Sequence, residues 1–381
     1  NQEIVFALVQ SNKVEESFLY LKKLKSKNVN FFQANLLLGV NYLIEKNFKK
    51  SEKYFTSIIK NKNFNDMERV IAEILLSHIR LFKNKSYDFN EALTNVPNNY
   101  ENLVLIQKAF LNCYLDNAIT DEIFSELIDS NKLNLTRYNF FYVNFLISKN
   151  RENEAKKILK NKTNTFDHNL LLEQSRLFLN EGKGNTLKAM FNCANPNHLI
   201  AEFFYLIANY YSSDAEHKIS NFYLNLSLYL NPNFIFNNLL LGENYFLLKN
   251  FDDSKKSYST FDFKHPVYGW YAKKRLTLIK SKLEDNEAAL SFLYKSFKKL
   301  KNPNAKHYYD LANYYKDFEQ YEEAIKYYNK VLSKISDDHI MYSKILHKRG
   351  MSYERLKLWE QSETDLTQSL NLSPEEPYVL N

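Results

Sequence analysis

Three of the six glycines in this 381-residue chain stand in one local context. Leu37-Leu38-Gly39-Val40-Asn41-Tyr42, Leu240-Leu241-Gly242-Glu243-Asn244-Tyr245 and Lys348-Arg349-Gly350-Met351-Ser352-Tyr353 each place an aromatic three residues after the glycine. Gly39 and Gly242 are 203 residues apart, close to six periods of 34. The prolines keep the same beat: Pro97, Pro196, Pro232, Pro266, Pro303 and Pro374 are separated by 99, 36, 34, 37 and 71 residues. Proline has no backbone donor and clashes with the preceding helical turn, so it belongs where one unit ends and the next begins. A fixed period of this length constrains the chain to a repeat array, in which each unit packs only on its neighbours.

Within the period the apolar residues follow a helical spacing. In Ala305–Val331, Tyr308, Leu311, Ala312 and Tyr315 form one stripe, and Tyr321, Ala324, Tyr328 and Val331 form a second. Each stripe is one face of an amphipathic helix that cannot bury itself alone. The same pattern recurs as Asn35, Leu38, Gly39 and Tyr42 with Phe48, Ser51, Phe55 and Ile58, and as Asn238, Leu241, Gly242 and Tyr245 with Phe251, Ser254 and Tyr258. Leu103 to Leu115 pairs with Ile119 to Ile128, and Leu346 to Tyr353 with Trp359 to Ser369. Between Asp66 and Pro97 two registers fit equally well. Small residues at Gly39, Ala208, Gly242, Ala312, Gly350, Ser51, Ala155, Ser254, Ala324 and Ser362 fall where two helices must cross closely. Glycine within a helix costs about 1 kcal/mol relative to alanine, so close packing explains its recurrence better than flexibility does.

Composition narrows the function classes. A net charge of +7 is a modest excess over 44 acidic side chains, with no arginine cluster and no RNA-recognition signature, so nucleic acid is not the expected partner. Cys113 and Cys193 sit in apolar helical contexts and read as two buried small hydrophobes. No run of about 18 apolar residues spans a membrane. The eight histidines are scattered without metal-ligand spacing, so no metal site and no cofactor are expected. Glu181-Gly182-Lys183-Gly184 lacks the spacing and the following Ser/Thr of a phosphate loop, and reads as a turn at a helix end. No Gly-x-Ser-x-Gly elbow is present, so no enzyme is read here.

These positions resemble the tetratricopeptide repeat family, whose 34-residue helix-turn-helix unit favours Trp/Leu, Leu, Gly/Ala, Tyr, Ala, Phe/Tyr, Ala and Pro at these offsets. The likeness is strongest over Phe32–Ile58, Ala201–Pro232, Ile235–Tyr258, Ala305–Val331 and Ser343–Pro374. It implies an all-α, right-handed superhelical solenoid of about ten repeats, continuous over residues 1–381, with a further first helix starting at 375–381. The run from Leu346 through Leu358-Trp359 to Leu370-Asn371-Leu372-Ser373-Pro374-Glu375-Glu376-Pro377-Tyr378-Val379-Leu380-Asn381 looks like a segment of large exported tetratricopeptide proteins of alphaproteobacteria. That resemblance implies a bacterial envelope or periplasmic location, with the cytoplasm as the alternative, and a chain that is part of a longer protein.

The family register implies a concave groove lined by the first helices. There it places Tyr309, Asp310, Asn313, Lys344, His347 and Lys348, and farther upstream Tyr205 and Asn209. Tyrosine gives contact area at low entropy cost and asparagine can bridge a peptide backbone, so a protein or peptide partner is expected there. Lys344 and Lys348 resemble the basic pair with which some members of the family hold a peptide carboxyl terminus. Asp310 stands where that clamp wants a neutral or donor group, which argues against that variant. The chain thus reads as a non-catalytic interaction scaffold. The alternatives are the repeat region of a larger enzyme, such as a glycosyltransferase, and a self-assembling array, which would make the chain a homo-oligomer.

Overall fold

The computed structural model describes residues 1–24, 29–129, 136–161, 169–262 and 264–375. The described residues form helices only, and they come in pairs, in two compact units: Asn1–Lys162 with Leu171–Thr260, and Thr163–Leu170 with Phe261–Asn381. The further first helix expected from 375 falls almost entirely on 376–381, outside the described residues.

The first unit contains α1 (Gln2–Gln10) with α2 (Val14–Lys23), α3 (Phe32–Ile44) with α4 (Phe48–Lys60), α5 (Asp66–Lys83) with α6 (Phe89–Leu93), and α7 (Glu101–Leu115) with α8 (Thr120–Asp129). It continues with α9 (Arg137–Ser148) and α10 (Glu152–Asn161), α11 (Leu170–Asn180) and α12 (Gly184–Met190), α13 (Pro196–Ser213) and α14 (His217–Leu230), and α15 (Asn238–Leu247) and α16 (Phe251–Ser259). The second unit pairs α17 (Pro266–Leu283) with α18 (Asn286–Phe297), α19 (Ala305–Asp317) with α20 (Tyr321–Leu332), and α21 (Tyr342–Arg355) with α22 (Trp359–Leu372). The two registers at 66–97 are explained by the third pair, whose long α5 is followed by an α6 of five residues, too short for a second stripe.

All six prolines of the periodic set fall outside helix interiors. Pro196 and Pro266 occupy the first position of α13 and α17, where the missing N–H has no intrahelical partner to lose. The glycines mark close crossings. A Cβ at Gly39 would stand 2.6 Å from the Phe55 ring, at Gly242 2.9 Å from the Tyr258 ring, and at Gly350 2.9 Å from Leu366. Each glycine carbonyl accepts a hydrogen bond from a serine of the paired helix: Ser51 Oγ to Gly39 O at 2.7 Å, Ser254 Oγ to Gly242 O at 2.8 Å, and Ser362 Oγ to Gly350 O at 3.0 Å. The glycine and the serine are thus one device, which lets the second helix lie against the backbone of the first.

The turn within most pairs is also constant. Asn12, Lys46, Asp116, Asn150, Ala215, Lys249, Glu319 and Lys357, with Gly182, adopt a left-handed conformation after the first helix. The next residue then closes a six-residue loop, as in Asn47 N–H to Tyr42 O at 2.8 Å and Asn250 N–H to Tyr245 O at 2.9 Å. Gly182 confirms the turn expected at Glu181–Gly184.

In the second unit the core is Trp270, Leu293, Phe297, Leu311, Ala312, Ala324, Tyr327, Tyr328, Val331 and Ile345, which includes the inner positions of both stripes of Ala305–Val331. The first unit closes on itself. Phe6 of α1 stacks on Phe222 of α14 at 5.3 Å, and Gln10 O accepts from Tyr245 Oη at 3.2 Å and Asn225 Nδ2 at 3.4 Å. The His78 ring of α5 lies 6.3 Å from that of Phe203 in α13. Every residue of α9 from Tyr138 to Ile147 is buried, the signature of a helix packed all round.

The cysteines correct the sequence reading. Both are buried, as expected, but they are not two separate hydrophobes: Cys113 in α7 and Cys193 in the α12–α13 connection form a disulfide, with Cα atoms 5.7 Å apart. The bond spans 80 residues of sequence, and only the closure of the unit brings its ends together.

Candidate functional site

In the second unit the first helices α17, α19 and α21 lie side by side and exchange polar contacts. Trp270 Nε1 donates to Asp310 Oδ2 at 2.8 Å, and Lys274 Nζ pairs with the same oxygen at 2.8 Å. Tyr314 Oη donates to Lys274 O at 2.8 Å. From the other side Lys348 Nζ donates to Asn313 Oδ1 at 2.8 Å, and the same oxygen accepts from Tyr328 Oη at 2.8 Å. Lysine only donates, so the Asn313 oxygen faces inward, and its Nδ2 is left without a partner among the described residues. The Lys348 ammonium also stands over the Tyr309 ring, 5.4 Å from its centroid.

Electrostatics single out Lys348. Burial, with Lys316 and Lys344 nearby, pushes its ammonium down to about 8 despite the opposing pull of Asp317. Burial and the charge of Lys348 also lower His347. The surrounding charge is segregated by helix. The first helices α17, α19 and α21 carry eleven Lys or Arg against three Asp or Glu, whereas α18, α20 and α22 carry three against six. Basic charge therefore gathers on the layer that holds Lys348.

Six of the predicted site residues thus lie in this unit. Lys348 contacts both Asn313 and Tyr309, and Lys344 and His347 share α21 with it. The Asp310 carboxylate accepts from the Trp270 indole and pairs with the Lys274 ammonium. Tyr205 and Asn209 belong to the first unit, both on α13. Asn209 is exposed, while Tyr205 lies beneath the Arg137 guanidinium, 3.5 Å from its ring centroid.

Arg137 is absent from the sequence-derived set, and so are Trp270 and Lys274. Arg137 forms a bidentate pair with buried Glu202, Nε to Oε1 at 2.7 Å and Nη2 to Oε2 at 2.8 Å, and reaches Asn237 Oδ1 at 2.9 Å. Burial pushes the Glu202 carboxyl up and Arg137 pulls it back. The available signal was a lone cation at the head of the aromatic run Arg137-Tyr138-Asn139-Phe140-Phe141-Tyr142. On α15 and the turn before it, Phe236 is buried, Leu239, Leu240 and Phe246 are half-buried, and Leu247 is exposed. Among the described residues no group of three or more His, Cys, Asp or Glu is placed to hold a metal ion, and no helix is long and apolar enough to cross a membrane.

Residues 305–333 match the family model of the tetratricopeptide repeat, and the paired-helix geometry found there recurs in both units of an all-α fold. No curated protein matches the chain. Similar solved structures include the MamA protein, 18% identical over 46% of this chain and 93% of that one, with a TM-score of 0.34. YrrB, a TPR protein with an unusual peptide-binding site, is 16% identical over 47% and 90%, with a TM-score of 0.32. The Cut9–Hcn1 hetero-tetramer of the APC/C is 15% identical over 99% and 81%, with a TM-score of 0.36.

Proposed function

We propose that the chain is an interaction scaffold that holds an acidic peptide segment of a partner protein against α19 and α21 of the second unit. The observation that carries this reading is the half-buried Lys348 ammonium, fixed by Asn313 Oδ1 and Tyr309 in a layer whose charge is basic. A carboxylate reaching Lys348 gains a charge-assisted bond to a cation already desolvated and oriented, and the Asn313 Nδ2 amide is placed to donate to a peptide carbonyl. Lys344 and the half-buried Tyr309 supply further charge and contact area.

A fluorescein-labelled glutamate-rich peptide at 0.15 M salt tests this by anisotropy. Lys344→Glu with Lys348→Glu is expected to weaken binding at least tenfold, whereas Lys256→Glu in the first unit leaves it unchanged. Equal binding by a helical Tyr309→Ala, Asn313→Ala, Lys348→Glu variant would place the partner elsewhere.

A further inference from the structure

We propose that the Cys113–Cys193 disulfide is a redox-sensitive lock on the closed form of the first unit. In a linear repeat array each pair touches only its neighbours, and opening one pair leaves distant pairs intact. Here a covalent bond ties α7, in the fourth pair, to the connection between the sixth and seventh pairs, across 80 residues. That connection is a hub. Phe191, two residues before Cys193, packs edge-on against Phe141 of α9 at 4.6 Å and lies 5.5 Å from Phe110 of α7, one turn before Cys113. Met190 O accepts from Asn231 Nδ2 at 2.9 Å, and the Asn192 N–H donates to His198 Nδ1 at 3.0 Å. The lock therefore fastens α7 where α9, α12, α13 and the end of α14 converge, and α9 and α13 supply the two partners of the Arg137–Glu202 pair.

A dithiol reduces the bond by thiol–disulfide exchange: it gives two protons and two electrons, leaves as its own disulfide, and frees two cysteine thiols. The aromatic hub then holds by packing alone, and the chain entropy removed by an 80-residue crosslink returns to the open state. The lock is set where disulfides persist, in an oxidising compartment.

The test uses the whole chain. Air-oxidised protein unfolded in guanidinium chloride with iodoacetamide present is expected to take up no label, and protein treated first with dithiothreitol two. Reduction is expected to speed hydrogen exchange in α7, α9 and α13 and to lower the melting temperature of the first unit by roughly 5–10 °C, with α17–α22 unchanged. Cys113→Ser with Cys193→Ser should reproduce the reduced behaviour without reductant, and because reduction of the native chain gives the same readout, a poorly folding variant does not decide the matter. Two free thiols in the oxidised chain, or exchange in α7 and α13 unaffected by reduction, overturns the proposal.

Discussion

At Gly39 two effects oppose each other. Alanine would gain about 1 kcal/mol of helix propensity, but its Cβ would meet the fully buried Phe55 ring at 2.6 Å, and overpacking of this kind costs about 1–3 kcal/mol. The clash wins, so Gly39→Ala is expected to lower the urea midpoint. His78 is fully buried between Phe82 and Phe203, and burial lowers its imidazole to about 3. The unfolded chain takes up that proton near the ordinary value of 6.5, so between there and about 3 it binds more protons than the folded state, and stability falls as pH drops. His78→Leu is expected to flatten the loss of stability between pH 6.5 and 5 in denaturant titrations. Lys348 has the opposite consequence for binding. Half of its charge is lost at about 8, so the proposed peptide should bind with a nearly pH-independent Kd well below that value and progressively more weakly through and above it, and Lys348→Arg should move that loss to higher pH.

At the scale of the element, the recurring turn depends on a left-handed residue that is not glycine at eight of nine positions. A side chain there costs on the order of 1 kcal/mol, which glycine avoids. Lys249→Gly, in the turn before α16, is therefore expected to raise stability by about 0.5–1 kcal/mol in chemical denaturation. Asparagine caps helices next to some of these turns and between pairs. Asn47 and Asn250 accept from the Lys50 and Asp253 amides as helix caps, and Asn65 and Asn304 close capping boxes.

At the scale of the whole molecule, each unit follows its own logic. In the first, contacts between residues far apart in sequence should spread a local loss. Phe222→Ala empties the site on which Phe6 stacks, and it is expected to speed hydrogen exchange in α1 as well as in α14. Arg137→Ala is expected to cost about 3–5 kcal/mol, because it strands the buried Glu202 carboxylate. Arg137→Met with Glu202→Leu should recover most of that loss. The periodic glycines, prolines and stripes determined the helix pairs, their junctions and the packed face of Ala305–Val331, because those features arise within a repeat or between adjacent ones and leave a local spacing in the chain. The resemblance to the repeat family, not the periodicity, implied a shared groove for Tyr309, Asn313 and Lys348, and these residues lie on successive first helices. Only the tertiary structure decided that Cys113 meets Cys193, that Arg137 meets Glu202, and that Trp270 and Lys274 occupy Asp310. Those partners come from different pairs, and no periodicity records which side chains converge when successive pairs stack.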